Sequence, residues 1–252
     1  MKNKSQKKTV IITGGNKGIG AYITKAFLRL GYQVVVGARS SLPRDLKDKV
    51  FFIKIDVRFE KSMESLARYA LIKTGRIDVF INCAGFSRWA PIEKINDKFW
   101  EEMVDVNLKG TFWGCKIAAR HLSFGGCIIN ISSLAGKRGS SNNSAYCASK
   151  FGVNGLTQAL AKELGSRGIR VNALCPVYVQ TEGLLKALEK PFSPASGMRV
   201  AAYLKRFARE NAALKRFPNG DEIASFCAFL ASKDASAITG QCINVDCGVL
   251  PQ

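Results

Sequence analysis

The chain has 252 residues, 47% of them hydrophobic, enough for one large α/β domain with a sizeable core. Lys and Arg number 38 against 19 Asp and Glu, and the resulting charge of +19 favours anionic ligands; because the basic residues are scattered, a dedicated nucleic-acid surface is not expected. No apolar run reaches about 18 residues, which excludes a membrane span, and one His with eight Cys but no C-x-x-C pair argues against a metal centre.

The basic start, Met1 to Lys8, leads straight into a strand-like run with no apolar leader, so a cytoplasmic protein is expected. Thr9–Thr13 reads as that strand, followed by glycines and an apolar-periodic helix from Ile19 to Leu30. Gln33–Gly37 and Val50–Ile55 are apolar strands, Lys61–Lys73 is helical and Ile77–Ile81 is a strand. A long helical stretch runs from about Asp97 to Arg120, with His121 a surface residue near its end. Cys127–Ile131 is a strand, Ala145–Leu164 a helix and Ile169–Leu174 a strand. After a mixed stretch comes a helix, Asp221–Leu230, with acids in its first turn, and a last strand, Cys242–Val245. The cysteines fall mostly in apolar runs and read as small buried hydrophobes.

Strands alternating with helices predict βαβ units: an α/β fold with a doubly wound parallel sheet of about seven strands, helices on both faces, in a single domain over 1–252. The strands are unbroken apolar runs, as sheets covered on both sides require. Residues 182–219 carry Pro191, Pro194 and Gly197 between two helical pieces and are the expected substrate lid.

The first strand ends in Thr13-Gly14-Gly15-Asn16-Lys17-Gly18-Ile19-Gly20, and a helix follows. Glycines there let the backbone approach a pyrophosphate, and the helix N-terminus supplies free N–H groups. NAD sites place an acid about 20 residues further on, at the end of the second strand. Here that strand ends Gly37-Ala38-Arg39-Ser40. Arg39, helped by Ser40 and by Lys17 in the glycine turn, suits a ribose 2′-phosphate, so NADP(H) is the expected cofactor.

The strand Ile128–Ser133 ends in two serines; Tyr146 lies 13 residues beyond Ser133, and Lys150 four residues after it. Residues at i and i+4 share one helix face. An ammonium beside a phenol lowers its pKa, and the pair can then exchange a proton with a carbonyl or alcohol oxygen held by Ser133. The glycine turn, Asn82-Cys83-Ala84-Gly85, Asn107, the Ser133/Tyr146/Lys150 set and Gln241–Asp246 together resemble the short-chain dehydrogenase/reductases, in order and spacing, from about residue 8 to 250.

The resemblance implies a Rossmann-type fold and a role for each matching residue. Tyr146 is the catalytic acid/base; Lys150 lowers its pKa and binds the nicotinamide ribose; Ser133 orients the substrate oxygen; Asn107 holds a water relaying protons to Lys150. Gly14, Asn16, Lys17, Gly18, Ile19 and Gly20 surround the phosphates, with Arg39 and Ser40 at the ribose. Asp56 and Val57 meet the adenine, Asn82, Ala84 and Gly85 line the cofactor and brace the sheet, and Pro176, Val179 and Thr181 cover the nicotinamide. A homotetramer or homodimer is also implied. Three positions depart from the family pattern: Cys83 replaces an Asn, Val177 follows Pro176 where Gly is usual, and Cys247 stands at a usual Gly. Val enters positive φ only at a cost, so a shifted nicotinamide loop is expected.

Phe86, Trp89, Leu134 and Tyr178 predict an apolar pocket wall, with Arg88, Lys137 and Arg138 as a basic rim. That combination suits a 3-oxoacyl thioester on an acidic carrier protein, and the chain resembles 3-oxoacyl-carrier-protein reductases. A sugar, polyol or secondary-metabolite ketone is the alternative small-molecule carbonyl or alcohol substrate. A non-catalytic Rossmann-type binding protein is the remaining reading, supported only by the charge.

Overall fold

Apolar strands flanked by helix-length segments bury both sheet faces, and the fold is the arrangement that does so. The computed structural model describes residues 7–251; the basic start before Lys7 lies outside them. Seven strands form one sheet: β1 (Thr9–Thr13), β2 (Gln33–Ala38), β3 (Phe51–Lys54), β4 (Val79–Asn82), β5 (Cys127–Ile131), β6 (Arg170–Pro176) and β7 (Cys242–Val245). Their order is β3-β2-β1-β4-β5-β6-β7, and every neighbouring pair is parallel.

Period-two alternation divides the core. Val10, Ile12, Val36, Ile81 and Ile129 pack with Ile23 and Phe27 of α1 (Gly18–Arg29) and with Ile223, Cys227 and Leu230 of α8 (Gly220–Ala231). Ile11, Val35, Phe80, Ile128 and Val171 face the other way. They pack on Met63 and Leu66 of α2 (Glu60–Thr74), Cys115 and Ile117 of α4 (Gly110–His121), and Ala161 and Leu164 of α5 (Ser144–Leu164). Asn219 and Glu222 form a reciprocal capping box that starts α8. All eight cysteines are free and five are buried, the packing role their apolar settings predict.

The sequence-predicted helix from Asp97 to Arg120 is not one regular helix. It comprises α3 (Asp97–Val104), a wider π-type turn at Asp105–Lys109, and α4. Such turns are rare and concentrate at functional sites. The 182–219 stretch forms α6 (Glu182–Leu188) and α7 (Val200–Asn211), separated by the proline-containing segment. It builds a small core of its own from Leu188, Tyr203, Leu204, Ala208 and Phe217 against Trp89. Among the described residues, no helix is long and apolar enough to cross a membrane.

Chain direction places the site. From β1 the sheet grows outward through β2 and β3; the chain then returns to lay β4 on the other side of β1. Loops leaving the C-terminal ends of β1 and β4 diverge at this reversal and open a crevice.

Candidate active site

A cleft of about 850 Å³ occupies that crevice, within the size range of small-molecule and cofactor sites. Gly14, Asn16, Lys17, Gly18, Ile19 and Gly20 line one end. Gly14 has φ +68, and a Cβ there would lie 2.9 Å from Ala84 Cα; a Cβ on Gly20 would lie 2.2 Å from the Gly14 carbonyl oxygen. Side chains would therefore force apart the turn that brings α1 to the cleft. α1 has neither a side-chain cap nor an acid in its first turn, so its leading N–H groups remain available to an anion. The arrangement fits a dinucleotide pyrophosphate.

Asn16 fastens this turn to the end of β2, its amide donating to Ser40 Oγ at 2.9 Å and to the Ser40 and Ser41 carbonyls at 3.1 and 3.2 Å. Arg39 and Lys17 are exposed and line the cleft. Asp56, at the same end, is committed to Arg58, whose guanidinium donates to both carboxylate oxygens. That hydrogen bonding holds the Asp56 carboxyl below its usual range, and the Arg39 charge adds to the effect. Val57, Ala84 and Gly85 also line the cleft. Thr13 Oγ1 accepts from the Cys83 and Ala84 N–H groups at 3.1 and 3.2 Å, tying the loop after β4 to β1.

Of the two roles expected of Asn82, lining the cofactor and bracing the sheet, the structure shows the second. Asn82 is buried behind the cleft wall, donating to Asn130 Oδ1 at 2.9 Å and filling the space beside Gly114. A strand's last inward side chain belongs to the core, and here it braces β4 against β5.

Ser133, Tyr146 and Lys150 meet in the middle of the cleft, brought there by the end of β5 and one face of α5. Ser133 Oγ accepts from Ala135 N–H at 3.1 Å, which fixes the hydroxyl. Lys150 Nζ donates to the Ile131 carbonyl at 2.8 Å and lies 5.8 Å from the Tyr146 ring centroid. Burial pushes the Tyr146 phenol up to about 12, against a hydrogen bond with Ser133 that pulls it down. Burial also lowers Lys150 to about 8. Lys150 is not among the groups that lower the Tyr146 pKa here: desolvation is the largest cause, only the Ser133 hydrogen bond opposes it, and the ammonium is aimed at a backbone carbonyl.

Asn107 sits in the π-type turn, fully buried and outside the cleft lining. Its Oδ1 accepts from Phe86 N–H at 3.0 Å and its amide donates to the Phe86 and Met103 carbonyls, both at 3.0 Å. Its own carbonyl accepts from Thr111 Oγ1 at 2.8 Å. The side chain is thus a clamp on the loop after β4, spent on backbone groups. Asn107→Ala strands the buried Phe86 amide, and we expect a loss of about 1–3 kcal/mol in unfolding free energy, measured by urea titration. An unchanged midpoint would show that the clamp carries no stability.

Pro176, Val179 and Thr181 line the cleft, with Thr181 capping α6 by accepting from Leu184 N–H at 3.3 Å. Val177 is not among the residues with positive φ, in keeping with the cost that conformation carries for Val; it packs with Leu134 and Val249. Cys247, by contrast, does adopt the left-handed region, at φ 56.

The outer cleft is walled by Phe86, Trp89, Leu134 and Tyr178, with Phe192, Tyr203 and Phe207 contributed by the 182–219 segment. Of the expected basic rim only Arg138 lines it. Arg88 turns to α3, 3.2 Å from Glu102 and 4.0 Å from the Phe99 ring centroid, and Lys137 faces away. Val106 and the run Ser140–Asn143 also line the cleft and are not predicted from sequence. The clustering of Ser and Asn immediately before α5 is the signal that marked that run.

The comparisons with known proteins agree with this geometry. The family model described as enoyl-(acyl carrier protein) reductase matches residues 14–250. The chain belongs to the short-chain dehydrogenase/reductase family. The 3-oxoacyl-(acyl-carrier-protein) reductase of Chlamydia muridarum is 34% identical over 253 residues, covering 96% of this chain and 97% of the relative. D-threitol dehydrogenase of Mycolicibacterium smegmatis is 34% identical over 251 residues, covering 96% and 92%. Two solved structures share the fold throughout. Aldohexose dehydrogenase of Thermoplasma acidophilum has a TM-score of 0.87 at 31% identity, covering 98% of each chain. A variant of actinorhodin polyketide ketoreductase with NADPH has a TM-score of 0.89 at 30% identity, covering 96% and 97%. The protein is an NADP(H)-linked oxidoreductase of this family, acting on a CH–OH or C=O group.

Proposed function

We propose that the protein works as a reductase of ketones with an apolar body, using Tyr146 as proton donor. The observation that carries this reading is the meeting of Tyr146, Ser133 and Lys150 in the cleft, with the phenol hydrogen-bonded to Ser133. A phenol that keeps its proton at neutral pH is poised to give it to an oxygen gaining negative charge, the direction reduction requires. NADPH supplies the hydride when bound. Ser133 holds the carbonyl oxygen, and Lys150 keeps positive charge beneath the phenol as the proton leaves. Gly14, Gly18, Ile19 and Gly20 receive the pyrophosphate, and residues 182–219 act as a lid over the substrate.

Arg39, Lys17 and Ser40 support NADPH over NADH, since two cations line that end of the cleft, no acid follows β2, and Asp56 is committed to Arg58. Arg39→Ala is expected to raise KM for NADPH by about 10–100-fold, the range for losing a charge-assisted hydrogen bond, and to move KM for NADH little. Equal rises for both cofactors would show that Arg39 does not read the phosphate.

Within the ketones, the aromatic wall of Phe86, Trp89, Tyr178, Phe192 and Phe207 favours a 3-oxoacyl chain. The Ser140–Asn143 run along the same cleft favours a second reading, a sugar or polyol. NADPH consumption across acetoacetyl thioesters, aldoses and alicyclic ketones tests both. Turnover of thioesters supports the first, and turnover of aldoses alone supports the second. No turnover of any carbonyl would overturn the reductase reading.

A further inference from the structure

The outer cleft holds a cation that no carboxylate neutralises. Arg58, Arg76, Arg88 and Arg216 each pair with an acid. Arg138 lines the cleft, and among the described residues its guanidinium has no hydrogen-bond or ion-pair partner. Its backbone is anchored, the N–H donating to the Leu134 carbonyl at 3.1 Å, five residues beyond Ser133. Two acids line the same cleft and both are committed, Asp56 to Arg58 and Glu182 to Lys186.

Two phenols line the same cleft as Arg138. Tyr178, just after β6, and Tyr203, on α7, place their hydroxyl oxygens 3.1 Å apart. Their rings are locked against Phe207, with centroids 5.3 and 5.9 Å away, and Tyr178 packs on Phe217 at 5.6 Å. Only one proton is used between the two oxygens, so one O–H remains to be donated. Burial raises both phenols, keeping them protonated donors at neutral pH, while the Arg138 charge acts on both in the opposite sense. A cation and a hydroxyl donor thus share a cleft whose outer walls are aromatic.

We infer that Arg138 and the Tyr178–Tyr203 hydroxyl pair form a subsite for an oxyanion, a carboxylate or phosphate, carried by the substrate beyond its reacting carbonyl. A charge-assisted hydrogen bond beside apolar walls is stronger than the same contact in water, and a guanidinium fork matches either oxyanion. The inference rests on the reductase reading of the cleft. Two sources supply the chemistry: the carboxylate of a free keto acid, or the phosphate of a CoA or phosphopantetheine arm.

The test measures kcat/KM with NADPH for two matched pairs: acetoacetate against its neutral methyl ester, and acetoacetyl-CoA against the neutral acetoacetyl-N-acetylcysteamine. Wild-type protein, Arg138→Gln and Tyr203→Phe are compared. The expected result is that the anionic-to-neutral ratio falls about tenfold or more in Arg138→Gln, and by a smaller factor in Tyr203→Phe, in one pair. The acetoacetate pair responding identifies a carboxylate, and the CoA pair a phosphate. Ratios unmoved by both substitutions, with wild-type turnover intact, overturn the subsite and leave the reductase reading standing. Absence of wild-type turnover on all four compounds overturns the 3-oxoacyl reading, and the subsite with it.

Discussion

Tyr146→Phe is expected to lower kcat for carbonyl reduction by about 10²–10⁴-fold, the span attributed to a positioned general acid. The phenyl ring keeps the packing of α5 against the cleft and removes only the oxygen that hydrogen-bonds with Ser133. NADPH affinity, followed by fluorescence titration, should change by no more than a few-fold. That split between turnover and binding separates a proton donor from a residue that merely shapes the pocket. Turnover within threefold of wild type would rule Tyr146 out as the donor. Oxidation of the product alcohol should respond differently to pH. It needs the phenolate, and a group pushed up to about 12 supplies little of that near neutrality, so the oxidative rate should climb with pH across the alkaline range.

Lys150→Met is expected to cost about 10²–10³-fold in kcat/KM, comparable to removing one fixed electrostatic donor from an active site. Methionine keeps an unbranched side chain one atom shorter but loses the ammonium that donates to the Ile131 carbonyl at 2.8 Å. The pH profile carries the sharper signature. Burial lowers Lys150 to about 8, so the group is charged below that pH and neutral above it, and kcat/KM reports ionisations of the free enzyme. Reduction should therefore decline as pH rises through about 8 in the wild type. Lys150→Met should show no such limb, because no ammonium remains to titrate. A wild-type limb that survives in the variant would assign the ionisation to another group.

The sheet could be read from the sequence because its strands are nearly pure apolar runs bounded by glycine or a charge change. β1, β5 and β7 match the predicted bounds, and the others differ by a residue or two at their ends. The break between α3 and α4 was hidden, since the apolar period continues across it. In the site, contiguous motifs were legible, and side-chain direction was less so. Asn82 and Ala84 are two residues apart in one motif, yet one faces the core and the other the cleft. Arg88 and Arg138 are equivalent as letters; only the position of Glu102 on α3 decides which is withdrawn. The height of the Tyr146 pKa was likewise illegible, because desolvation depends on what the fold stacks over the phenol.

The outermost strands, β3 and β7, are four residues each. An open sheet leaves a bare rim of N–H and C=O groups on each flank, a template on which a stray extended chain can add itself. Here each rim offers only a few ladder rungs. Lys47, Lys49 and Lys54 crowd one of them with like charge. The longer, more adhesive strands are shut inside, so a sheet built almost wholly of aggregation-prone sequence exposes little of it to another molecule.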